Sequence, residues 1–261
     1  MLGKLLKYEL PAMGRKLVPL YAAWGVTAIL LGVTAQLSSS RSEFMVVISG
    51  LLYTVVATAV MVMSVVLIVQ RYRDSLLGDE AYFNHVLPVS VTAHIGNKLI
   101  SATVWVIATA FVALLTGIII MLTAMLVSGF DFKIFNLDPG ELYIPKNFGL
   151  IVIEILILII AGIVKSVMQI YAAITVGHQA AKHTTLASIG AYILVLMFEG
   201  SVGRILAPLL FGASTNIPNT QVNELMAISR VFIPALLMTI FFSAIYFFVC
   251  KYLMEKRLNL A

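Results

Sequence analysis

Glu154, Lys165 and Gln169 stand out because they lie in a run, Phe148–Val176, that is otherwise almost wholly apolar. A charge at membrane depth costs roughly 2.5–3.5 kcal/mol on insertion scales and usually faces a bundle interior or a wet cavity. Eleven residues of helix turn through about 1100°, within about 20° of three full turns, so Glu154 and Lys165 share a face. They are separated by about 16 Å along the axis, too far to pair. Gln169 extends the stripe by one turn. Two readings suit it: the stripe lines a translocation path or helix interface, or Glu154 and Lys165 snorkel to opposite headgroup layers.

Other chemistry is sparse. Gly162–Ser166 lacks the spacing of a phosphate-cradling loop, and Cys250 is the one cysteine. His178 and His183 would stand about 140° apart on one helix, a poor metal pair; with His85 and His94 they read as loop or interface residues. No catalytic, metal or cofactor residue is expected in this chain, which reads as a non-enzyme.

A second cluster lies in the polar segment 71–98. Gly78 suits a turn, and Asp79 suits the N-cap of a short helix from Glu80 to Val86. Pro88 stops that helix, and Ser90 or Thr92 can cap the next. This helix would carry Tyr82, Phe83 and His85, either as a docking surface for a partner or as rings packed on headgroups.

The elements that position these residues follow from composition. Of 261 residues, 61% are hydrophobic and 11% charged, against roughly 25% charged in a soluble domain. Mean hydropathy is +1.03. A soluble enzyme, a disordered regulator and a disulfide scaffold are excluded; the chain is an all-α integral membrane protein. Six transmembrane helices are expected, at about 17–37, 44–69, 99–128, 148–176, 183–203 and 231–250. Tyr21 and Trp24 look like an interfacial aromatic pair at the first span, which is read as a true span rather than a cleaved signal. Residues 1–16 form an expected amphipathic interfacial helix, with Leu2, Leu6, Leu10 and Met13 opposite Lys4, Lys7 and Arg15. Residues 17–261 form the six-helix domain.

Lysine and arginine fix the orientation. Eleven fall on the side that holds both termini, five on the other, and Lys165 lies within a span. The positive-inside rule places both termini in the cytoplasm and the 71–98 loop beside them. The formal charge of +5 is then explained by topology, without nucleic acid. Glu199 and Arg204 are expected near the external boundary. The apolar stretch within 205–214 is too short for another span and suggests a re-entrant or interfacial piece.

At Leu76–Ser90, LLGDEAYFNHVLPVS, the chain resembles bacterial ABC transporter permeases of the type-2 exporter class. The matching residues are Gly78, Asp79, Glu80, Tyr82, Leu87, Pro88, Val89 and Ser90, followed by Lys98 and Leu99; Asn84–Val86 departs from the usual apolar filling. The opening MLGKLLKYEL is similar too. The resemblance implies a bacterial plasma-membrane permease, paired with a second copy or a paralogue in contact with membrane lipid. It implies coupling of the 71–98 loop, through Gly78, Asp79, Glu80, Tyr82, Phe83, His85, Leu87 and Pro88, to a separate ATPase subunit that binds ATP and magnesium. Export of a peptide, antibiotic, lipid or drug-like substrate would follow. A gradient-driven secondary transporter, or a non-catalytic scaffold or sensor subunit, is the alternative.

Overall fold

A computed structural model of the protein describes residues 2–36, 43–76, 90–128, 148–180, 183–215 and 224–256. These form six helices: α1 (Leu2–Gln36), α2 (Glu43–Leu76), α3 (Val91–Ser128), α4 (Phe148–Gly177), α5 (Thr184–Thr215) and α6 (Glu224–Lys256). Among the described residues there is no strand. Each helix contains a stretch long and apolar enough to cross a bilayer, so the protein is multi-pass. Side chains such as Leu114, Leu194 and Phe248 stand exposed along the helices, as lipid-facing surface requires.

Local signals account for several helix ends. Ser90 occupies the N-cap position of α3, its carbonyl accepting from the N–H groups of Ala93 (2.9 Å) and His94 (3.2 Å). Glu43 lies in the first turn of α2, and Arg73 and Lys256 lie in the last turns of α2 and α6. Those signs complement the helix dipole.

Three features depart from expectation. Residues 1–16 are not set off from the first span, because α1 runs unbroken from Leu2 to Gln36 through Pro11 and Pro19. A proline removes one backbone bond but does not oblige a break where neighbouring helices support the backbone. Trp24 does not face headgroups; it is buried, with its ring 6.3 Å from that of Tyr53. Residues 205–214 do not re-enter. They continue α5 through Pro208 to Thr215, since their apolar run prolongs the helix already formed.

The chain divides into two compact units. One comprises residues 1–68 and 104–143, hence α1 and most of α2 and α3. Its helices are joined by hydroxyl contacts: Tyr21 with Thr109 (2.7 Å), Tyr53 with Thr116 (3.1 Å) and Thr34 with Ser49 (2.6 Å). Gly32 lets α1 approach α3 so closely that a Cβ there would lie 1.7 Å from Thr123 Oγ1.

The other unit comprises residues 69–103 and 144–261, with α4, α5 and α6 and the adjoining ends of α2 and α3. Tyr72 and Tyr171 stack at 3.8 Å in its interior. The Tyr72 hydroxyl bonds Thr175 (2.8 Å), and the Tyr171 hydroxyl donates to the Lys98 carbonyl (3.1 Å). Buried rings with satisfied hydroxyls give this end of the unit a fixed packing.

Candidate functional site

Lys165 lies near the middle of α4, and its ammonium group meets the Glu199 carboxylate of α5 in an ion pair. The second Glu199 oxygen accepts a hydrogen bond from the Tyr246 hydroxyl of α6 at 3.0 Å. Three helices thus converge on one carboxylate. The Lys165 and Glu199 side chains are each 22% exposed, so the pair is shielded but reachable. Phe242 packs beside it, 6.2 Å from the Tyr246 ring.

The ion pair borders a cleft of about 360 Å³. Its walls are mainly apolar, from Leu196, Met238 and Phe242, with the Thr239 side chain and the glycines at 200 and 203. A Cβ on Gly200 would meet nothing within 4 Å, so this glycine leaves open space rather than permitting a close approach. An apolar hollow with a single charged locus can hold an amphiphilic molecule or order a few waters.

The position of Glu199 corrects the expectation of an external boundary residue. It lies inside the apolar run Thr184–Leu209, because α5 continues well past it. Lys165 does not extend toward a headgroup layer, since its ammonium is engaged by Glu199. Glu154 and Gln169 share its helix but do not line the cleft. Gln169 is buried, and its Nε2 has no hydrogen-bond partner among the described residues. Glu154 is half-buried.

Sequence periodicity missed Glu199 and Tyr246 because it relates residues of one helix only. A usable signal was depth. Lys165 lies twelve residues before the end of α4 and Glu199 fifteen after the start of α5, about 18 and about 22 Å from a shared turn. Opposite charges at similar depth on consecutive antiparallel helices are natural partners.

The residues expected to couple to an ATPase, Gly78, Asp79, Glu80, Tyr82, Phe83, His85, Leu87 and Pro88, lie outside the described residues. Among the described residues, no three of histidine, cysteine, aspartate and glutamate gather as a metal site. None of the family models, curated proteins or solved structures compared with the chain matches it.

Proposed function

We propose that this chain is the membrane subunit of a transporter, with the Lys165–Glu199–Tyr246 cluster as the polar locus of its path. The observation that carries this reading is a charge pair held at mid-helix beside an open apolar cleft. Ionisable residues at that depth characteristically mark substrate or ion pathways. The pattern at Leu76–Ser90 supports the more specific form, an ATP-binding-cassette exporter whose separate ATPase subunit binds ATP and magnesium and drives the spans through the 71–98 loop. The chain would pair with a second permease in the bacterial plasma membrane, both termini cytoplasmic. An amphiphilic substrate, a lipid, peptide or drug-like molecule, suits the cleft.

The test is co-purification of the full chain with an ATP-binding-cassette ATPase and reconstitution of the pair. Transport should require ATP, and Glu80→Lys combined with Tyr82→Ala should leave hydrolysis intact while abolishing transport. Purification without an ATPase, together with transport indifferent to ATP depletion, overturns the exporter form. The titratable pair within the spans favours one second reading, a proton-coupled carrier. In that case a protonophore stops transport where ATP depletion does not.

A further inference from the structure

α5 and α6 each pack mainly on α4 and touch one another far less. The cleft beside the ion pair is the space left between them, reached by Lys165 of α4. From α5 it takes Leu196, Glu199, Gly200 and Gly203, whose spacing puts them on one face of that helix. From α6 it takes Met238, Thr239 and Phe242, again one face. Leu196 and Gly200 are exposed whereas Phe242 is buried, so the cleft is a groove running inward from the helix surface. Lys165 and Glu199 lie about 18 and about 22 Å from the α4–α5 turn. Against a hydrocarbon core about 30 Å thick, that places the polar locus among acyl chains and away from the headgroups.

The groove is balanced in charge but not in hydrogen bonds. One Glu199 oxygen accepts from Lys165 and the other from Tyr246 (3.0 Å). An ammonium group carries three donors, and Glu199 takes one of those on Lys165. The Thr239 hydroxyl donates to the Ala235 carbonyl (2.8 Å), which leaves its oxygen as an acceptor. Spare donors and a spare acceptor therefore border one apolar space of about 360 Å³ with no net charge. A ligand with a charged head would add an uncompensated charge at membrane depth, which is costly. A hydroxyl group both donates and accepts, so it matches the two spare valences without a charge. The volume lies at the low end of the roughly 300–1,000 Å³ of small-molecule sites, enough for a small head and the start of one chain.

We propose that this groove binds an uncharged, single-chain amphiphile bearing a hydroxyl group, of the monoacylglycerol type. The hydroxyl accepts from Lys165 Nζ and donates to Thr239 Oγ1, and the chain leaves over the exposed rim at Leu196 and Gly200. Gly200 sets the width of the groove, since a Cβ there would enter open space. The inference rests on reading the Lys165–Glu199–Tyr246 cluster as the polar locus of a path, and it names the ligand class of that locus. Binding without transport in reconstituted vesicles would sink the transporter reading alone. Transport of another substrate, with no binding of a monoacylglycerol, would sink this inference alone.

The experiment is ligand-dependent thermal stabilisation of the full chain in neutral detergent. Four amphiphiles with the same chain length are titrated: monooleoylglycerol, methyl oleate, oleoyl lysophosphatidylglycerol and oleyltrimethylammonium. Wild type should be half-maximally stabilised by monooleoylglycerol at about one tenth the mole fraction required of methyl oleate, the worth of one charge-assisted hydrogen bond. The anionic and cationic amphiphiles should bind more weakly than monooleoylglycerol. Gly200→Leu, which fills the groove, should shift the monooleoylglycerol midpoint about tenfold upward while melting no lower than wild type without ligand. Should Gly200→Leu fail to fold, Gly200→Ala carries the comparison with a smaller shift in the same direction. Thr239→Val should narrow the gap between monooleoylglycerol and methyl oleate. The proposal is overturned if either charged amphiphile binds as tightly as monooleoylglycerol, if the gap survives Thr239→Val unchanged, or if wild type and the folded Gly200 variants give identical curves.

Discussion

In residues 1–68 and 104–143 the helices meet through neutral hydroxyl contacts such as Tyr21–Thr109 and Tyr53–Thr116, and through a glycine that draws α1 onto α3. In residues 69–103 and 144–261 the central contact is ionic, Lys165 with Glu199, and a cleft stands beside it. In a bilayer, apolar burial barely distinguishes a helix neighbour from a lipid tail, so packing and polar contacts decide the association. The first unit uses close approach and many weak bonds. The second accepts a costly charge pair and leaves space next to it, an arrangement with little value for stability alone.

The sharpest way to break this comparison is to remove one charge. Lys165→Leu or Glu199→Leu alone should lower stability by about 3–5 kcal/mol, because the remaining charge loses its partner. The double variant should recover most of that, as read from unfolding in mixed micelles. A double variant as unstable as either single would show that the ion pair itself holds the helices together, which would break the comparison.

The glycines test close approach against open space. Gly32→Ala should cost about 1–3 kcal/mol, since its Cβ would meet Thr123 and the Ile120 carbonyl (2.8 Å). Gly200→Ala should be neutral or stabilise by up to about 1 kcal/mol, from helix propensity with no clash. Equal losses at both positions would erase the distinction between a tightly closed unit and an open one.

The smallest effects belong to single hydrogen bonds. Tyr21→Phe and Tyr246→Phe should each cost about 0.6 kcal/mol, the usual worth of one interhelical hydrogen bond in a membrane. A much larger loss for Tyr246→Phe would mean that the Tyr246 hydroxyl is required to stabilise the Glu199 carboxylate.

Much of the architecture was legible in the chain because a lipid environment imposes a crude rule. Long charge-free runs must be helices, and six were found where hydropathy places them. The anomaly of Lys165 was legible for the same reason: a cation in an apolar run is conspicuous. Its partner was not. Glu199 lies 34 residues away, and periodicity reports which residues share a face, not which faces of different helices meet. Trp24 was misread likewise, because an aromatic ring near a span end suits headgroups and a neighbouring tyrosine equally well.

The sequence by itself therefore determined the environment, the number of helices and which side chains are expensive to bury, since these depend on local composition and the solvation energy of each residue. Tertiary structure alone decided that Lys165 is paired with Glu199, whose other oxygen accepts from Tyr246, that a cleft opens beside them, and that Arg73 faces the first turn of α5. Those outcomes depend on the rotation and depth of one helix against another, set by the summed packing of many side chains, which no local window contains.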